Sequence, residues 1–162
     1  MFKALTVLLG LTGAPVMADA LADMQGTWSG SGWAREAASG PKEAVRCRIK
    51  NSYDEGARAL SVSGRCVVPG RKIALAGEIK GNGGSAQISG HWFNPDGLGS
   101  VRISGLQQAD LIAFTFRAKD PETGAVIAQN VEWRVSAQGL HLRATDRADP
   151  GVKMSDIAFT RQ

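Results

Sequence analysis

The sequence contains few of the residues, and none of the short motifs, on which most enzyme chemistry depends. Two histidines, two cysteines and one tyrosine occur among its 162 residues. The motifs G-x-S-x-G, G-x-x-x-x-G-K-[ST], H-E-x-x-H and G-x-G-x-x-G are missing, so no common hydrolase, nucleotide-binding or zinc-protease signature is present. No pair of carboxylates is forced together by its spacing. We therefore expect a protein that is not an enzyme, with no catalytic residue and no cofactor.

The histidines and the acidic loops do not indicate a metal site. His91 and His141 fall on the polar faces of their predicted strands, and the spacing indicates no third ligand for them. The acidic loop at 146–151 lacks the ligand spacing and the terminal glutamate of a calcium-binding loop. Both histidines are predicted to be solvated or to lie at the rim of the barrel, and no bound metal is expected.

Long apolar runs are also missing, except at the beginning of the chain. Lys3 provides a positive charge, residues 4–11 are apolar, and residues 16–18 or 18–20 form a small-residue cleavage site. This pattern predicts a secretory signal peptide at 1–18, with cleavage as late as residue 20. The alternative is a buried N-terminal helix, which two glycines and a proline in this segment oppose.

Export would place the remaining chain in an oxidising compartment. We expect residues 19–162 to form one domain in the bacterial periplasm or outside the cell, without a lipid anchor or a transmembrane span. Cys47 and Cys66 are then predicted to form a disulfide, which stabilises a short loop by about 3 kcal/mol. The alternative is a redox or metal-binding pair, but the sequence has no C-x-x-C and no histidine beside either cysteine.

The body of the chain consists of short runs of alternating polarity separated by turn signals. It is 43% hydrophobic and contains 20 glycines without a repeating period, which is typical of a turn-rich β protein. Sequential hairpins predict an all-β, antiparallel, up-and-down β-barrel of about 8–10 strands, because closure removes exposed edges. The predicted strands are 24–33, 43–53, 58–67, 72–80, 85–93, 98–105, 110–118, 126–135, 139–145 and 153–161.

Strand periodicity assigns side chains to the two faces of the sheet. Val45, Cys47 and Ile49 point to one face, whereas the residues between them are basic. Cys66 lies on the apolar face of the next predicted strand, so both cysteines are predicted to face the same interior. A pairing of Cys47 with Cys66 also centres the hairpin on the turn at Gly56.

Gly26-Thr27-Trp28 provides a G-x-W pattern at the start of the first strand, and a meandering barrel follows it. This combination resembles the calycin-like families, such as lipocalins and avidins. The resemblance implies that Trp28 closes one end of the barrel and that Arg161, from the last strand, lies across it. The G-x-W and the disulfide position are also similar to those of small periplasmic inhibitors of metalloproteases, which act through an N-terminal arm.

The interior of the predicted barrel is lined by large apolar side chains. Such a wall can hold a small hydrophobic ligand, although the same side chains could simply fill a small barrel. We predict a non-enzymatic barrel that binds a small apolar or amphiphilic ligand. The alternatives are a protein-binding module, such as a protease inhibitor, and an enzyme with polar groups at the barrel mouth. The candidate ligand-binding residues are Trp92, Phe114, Phe116, Trp133 and Leu142.

A basic face is predicted on the outside of the barrel. Like charges directly across a hairpin cost stability, so their presence favours an anionic partner, which we expect to be an envelope lipid or a protein rather than nucleic acid. The alternative is a solvated face that protects the sheet from edge pairing. The residues of this predicted face are Arg46, Arg48, Lys50, Arg65, Arg71 and Lys72.

Overall fold

A computed structural model describes residues 19–83, 85–94, 98–121 and 123–162 of the chain. The predicted signal peptide at 1–18 lies outside the described residues. Within them, no helix is long and apolar enough to cross a membrane.

The described residues form one short helix followed by ten β-strands. The segments form strands because their alternating apolar and polar side chains suit a sheet with one buried and one solvated face. The elements are α1 (Ala20–Asp23), β1 (Gly26–Ala34), β2 (Glu43–Asp54), β3 (Ala59–Val68), β4 (Arg71–Gly81), β5 (Gln87–Asn94), β6 (Gly99–Gln108), β7 (Leu111–Lys119), β8 (Val126–Ser136), β9 (Gly139–Asp146) and β10 (Lys153–Arg161).

The strands form a closed antiparallel barrel in sequence order, in which β1 pairs with both β2 and β10. The predicted fold class is therefore confirmed, with the strand count at ten. An even number of strands lets the first and last strands run antiparallel and close the sheet. Closure satisfies the backbone groups that an open sheet would expose along its edges.

The helix α1 was not predicted, and the expected strand at 24–33 begins two residues later, at Gly26. Asp19 caps the helix, because its side chain accepts a hydrogen bond of 3.1 Å from the Leu21 backbone N–H. A helix of one turn has no measurable 3.6-residue period, so the apolar residues Leu21 and Met24 gave no helical pattern. Both side chains are fully buried, which makes α1 a lid over one end of the barrel.

The register between β2 and β3 agrees with the predicted hairpin. Cys47 lies opposite Cys66, and the two form a disulfide with a Cα–Cα distance of 4.0 Å. Arg48 lies opposite Arg65 on the outer face. The disulfide therefore joins neighbouring strands from inside the barrel, while the basic side chains point away from it.

Glycines on one strand leave room for aromatic rings from the next. A Cβ atom at Gly30 would lie 2.4 Å from the ring of Phe159, and one at Gly77 would lie 2.6 Å from the indole of Trp92. Both rings lean across a strand that has no side chain at that point. These glycines therefore determine how far each ring extends along the inner wall.

The closed end of the barrel is a hydrogen-bonded cluster around Trp28. Met24, at the end of α1, uses its backbone carbonyl to accept bonds from Trp28 Nε1 at 2.9 Å and from Asn51 Nδ2 at 3.0 Å. The guanidinium carbon of Arg161 lies 4.2 Å from the centre of the Trp28 ring system. This arrangement places Trp28 and Arg161 at the same end of the barrel and shuts that end.

Candidate functional site

A cavity of about 300 Å³ lies inside the barrel, away from α1. Its lining includes Ala34 at the end of β1 and Ile73 near the start of β4, which belong to the end of the barrel opposite the Trp28 cluster. The lining is largely apolar, as the inward parity of the strands requires. The barrel interior is therefore hollow at this end and packed at the other.

The structure brings all five predicted ligand-binding residues together on the cavity wall. The ring centres of Trp92 and Phe114 are 6.5 Å apart, and the two rings are tilted at 34°. Trp133 packs in the same way against Phe159, at 5.5 Å. Tilted aromatic contacts of this kind hold large rings in fixed positions. The residues of the predicted set that line the cavity are Trp92, Phe114, Phe116, Trp133 and Leu142.

Polar side chains are few among the described residues of the cavity lining, and no sequence motif indicated them. Gln129 and Ser155 line it, and both share the inward parity of the apolar residues on their strands. Parity alone could therefore have identified them. Met154 also lines it with the opposite parity, because a register irregularity between Lys153 and Ser155 lets two consecutive side chains face inward.

Among the described residues of the cavity lining, Arg35 is the one with a charged side chain. Its Nη1 donates a hydrogen bond of 2.8 Å to the Ala38 carbonyl oxygen, and its guanidinium carbon lies 5.5 Å from the centre of the Trp33 ring system. Its Nε is buried and has no hydrogen-bond partner among the described residues. A buried donor without a partner costs about 1–3 kcal/mol, so this atom would gain from an acceptor.

The predicted basic face divides into two parts. Arg46, Arg48, Lys50 and Arg65 are exposed and form no ion pair within the described part of the chain. Lys72 is exposed too and lies opposite Val67.

Arg71 differs from the rest of the predicted face. It forms ion pairs with Glu36 and, at 3.5 Å, with Glu43. Its charge is therefore balanced locally. The sequence did not predict this ion pair, because Glu36 lies in the loop after β1, far from Arg71 along the chain.

The two histidines have different surroundings. His91 is exposed, whereas His141 is half-buried and its Nε2 lies 2.6 Å from Asp156 Oδ1. The hydrogen bond with His141 lowers the pKa of Asp156, and the nearby charges of His141 and Arg143 act in the same direction. His141 therefore lies on the polar face, as its parity predicts, and its contact with Asp156 follows from the register of β9 and β10, which sequence spacing did not reveal. Among the described residues, no group of three histidine, cysteine, aspartate or glutamate side chains could hold a metal ion.

Residues 19–25, which directly precede β1, are folded onto the barrel. Asp19 accepts a hydrogen bond of 2.5 Å from the Tyr53 hydroxyl, and Ala20 is 1% exposed. Arg161 donates to the Gln25 carbonyl oxygen at 2.5 Å. This segment is therefore part of the barrel lid and does not extend into solvent as an arm.

Comparison of the chain with models of known protein families and with curated protein sequences finds no match.

Proposed function

We propose that this protein is an exported, non-enzymatic barrel that binds a small apolar or amphiphilic ligand in its cavity. The observation that carries the proposal is an apolar cavity of about 300 Å³ in a barrel closed at its other end. Ligand pockets range from about 300 to 1,000 Å³, so this volume suits a small molecule. The wall would bind such a ligand by removing apolar surface from water, at about 25 cal/mol per Å².

The Arg35 side chain supports the amphiphilic form of the ligand. Its buried Nε lacks a partner among the described residues, and a ligand oxygen could accept this hydrogen bond. Gln129 and Ser155 provide further polar atoms in the lining. A ligand with an apolar body and one polar group would therefore satisfy both parts of the wall.

Native mass spectrometry of the protein as isolated from cells, before and after organic extraction, tests this proposal. We expect a stoichiometric adduct that disappears on extraction and can then be identified in the extract. The extracted protein should also bind a naphthalene sulfonate fluorophore with saturation at one site. A bare mass together with no saturable fluorophore binding would overturn the proposal.

A matched pair of variants locates the binding site. Ile73→Trp adds an indole to the cavity lining near the open end, and we expect it to weaken fluorophore binding at least tenfold. Leu106→Trp makes a similar change at an outward-facing position of β6 that is 43% exposed. We expect Leu106→Trp to bind as the unmodified protein does. Equal binding by both variants would place the fluorophore outside the barrel.

A further inference from the structure

Four cations lie close together on the outer surface of β2 and β3. Arg48 and Arg65 are directly opposite one another in the antiparallel register. Arg46 and Lys50 lie two residues to either side of Arg48 on the same strand, so the row spans about 14 Å. We call these four residues the cationic wall. Like charges directly across a strand pair are destabilising, so the fold maintains this cluster at a cost.

The acidic side chains around the cationic wall are engaged elsewhere. Glu78, on β4, lies 2.9 Å from Lys80. Glu43, at the start of β2, pairs with Arg71, and Asp156, on β10, pairs with His141. The four cations of the wall therefore have no carboxylate partner within the described residues, and their field is not neutralised locally.

Hydroxyl groups lie beside the cations. Ser29 and Ser31 of β1 and Thr160 of β10 line one shallow depression of the outer surface together with the three arginines of the wall. Ser29 is opposite Arg48, and Ser31 is opposite Arg46. Arginine and hydroxyl donors together are the groups that proteins use to contact phosphate oxygens.

Trp33 extends the same surface toward the open end of the barrel. It follows Ser31 on the outward face of β1, and the Lys42 Nζ lies 4.0 Å from the centre of its ring system. A tryptophan beside lysine and arginine side chains is typical of the interfacial region of a membrane. Because a cation covers the indole, the ring is poorly available for stacking on a nucleic-acid base.

We propose that the cationic wall docks the barrel reversibly on a bilayer surface rich in anionic phospholipid. The row of cations is long enough to contact several phosphates at once, which a membrane surface offers and a single free phosphate does not. Basic residues near such a surface each contribute about 1 kcal/mol, so the four cations of the wall give an attachment that is reversible. This inference does not depend on a ligand in the cavity.

Vesicle sedimentation tests the proposal with a matched pair of double variants. Arg48→Gln with Arg65→Gln removes two charges from the wall, whereas Arg102→Gln with Arg117→Gln removes two exposed charges from β6 and β7. The unmodified protein should bind phosphatidylglycerol vesicles at low salt, bind less as salt rises, and not bind pure phosphatidylcholine vesicles. The wall variant should bind about 30-fold more weakly, at roughly fivefold per cation. The β6/β7 variant should bind as the unmodified protein does.

Several results would overturn the proposal. One is the absence of binding to phosphatidylglycerol vesicles at low salt, and another is an equal loss in both double variants, which would show a response to net charge alone. Binding of inorganic polyphosphate or duplex DNA that the wall variant loses, with vesicle binding unchanged, would assign the wall to a soluble polyanion. Removal of the Arg48/Arg65 repulsion should leave thermal stability unchanged or higher, so a loss of binding cannot be ascribed to unfolding.

Discussion

Arg161, the last residue of β10, lies over the indole of Trp28 near the start of β1, with its guanidinium carbon 4.2 Å from the centre of the ring system. The two residues are direct partners in the register that closes the barrel. The guanidinium also donates to the backbone carbonyls of Gln25 and Asp23, just before β1. One side chain thus ties the end of the barrel to its beginning and to the lid.

Replacing Arg161 should open this end of the barrel. Arg161→Ala removes the contact with Trp28 and the bonds to Gln25 and Asp23, and we expect a loss of about 2 kcal/mol in the free energy of unfolding. Arg161→Lys keeps the charge without the planar fork and should lose less. Urea unfolding followed by tryptophan fluorescence measures both values. A loss from Arg161→Ala no larger than that from Arg117→Ala, on the outer wall, would contradict this role.

Tyr53 should ionise at an unusually high pH. Burial, the hydrogen bond to Asp19 and the Asp19 charge raise the pKa of Tyr53 to about 12 from its ordinary value of 10.0. Because the chain has one tyrosine, the absorbance of its phenolate reports this group alone. The titration midpoint should be near 12 in the folded protein and near 10 in concentrated urea. Asp19→Asn should move the folded value downward.

The raised pKa of Tyr53 also predicts that the free energy of unfolding decreases at alkaline pH. The folded state favours the protonated phenol, so this contribution is complete below pH 10 and is lost as the pH rises toward about 12. Tyr53→Phe should remove this part of the alkaline loss. If the free energy of unfolding of Tyr53→Phe depended on pH as that of the unmodified protein does, the alkaline loss of stability would arise from other groups.

The strand parity could be predicted because long strands such as β2 alternate between buried and exposed side chains over many residues. Cys47 and Cys66 indicated the register of one hairpin independently, and the parity of the later strands predicted the inward set of five large side chains. The helix α1 escaped prediction because one turn has no period. The inward position of Met154 could not be predicted, because it depends on an irregularity in the pairing of β10 with β9. No sequence pattern marks this irregularity.

Contacts between distant segments could not be predicted from the sequence for a different reason. Arg35 lies just beyond the predicted end of the first strand, and its position in the cavity lining depends on where that strand ends. The pairing of His141 with Asp156 depends on the offset between β9 and β10, because these residues are diagonal rather than opposite neighbours. Period-2 reasoning assigns faces, but it does not assign offsets between strands.

The His141 and Asp156 pair should contribute to stability in an acid-sensitive way. The pKa of Asp156 is lowered from its ordinary value of 3.8, mainly by the His141 hydrogen bond. The contribution is therefore present above pH 3.8 and is lost as the pH falls through the lower pKa of the folded state. Urea unfolding between pH 2 and pH 6 should show a smaller acid loss in Asp156→Asn. His91→Gln, at an exposed histidine, serves as the control and should behave like the unmodified protein.

The stability of the protein should depend on whether the chain begins at Asp19 or at Leu21. A chain that begins at Asp19 keeps the helix cap, the bond to Tyr53 and the buried Ala20. A chain that begins at Leu21 loses all three, and we expect it to be less stable by about 2 kcal/mol. Asp19→Ser, which can still cap the helix, should fall between the two. Equal melting temperatures for the chains beginning at Asp19 and Leu21 would show that the lid does not need its cap.

The disulfide should stabilise the barrel and shape the cavity, because Cys47 and Cys66 both line it. The bond closes a loop with a sequence separation of 19 residues, for which chain entropy accounts for about 3 kcal/mol. Replacing both cysteines with alanine should lower the free energy of unfolding by about this amount, and reduction of the unmodified protein should have a similar effect. The variant should still form the barrel, since ten paired strands enclose it, and it should bind the naphthalene sulfonate fluorophore less tightly. A variant that is less stable but binds as before would separate the two roles and assign the disulfide to stability alone.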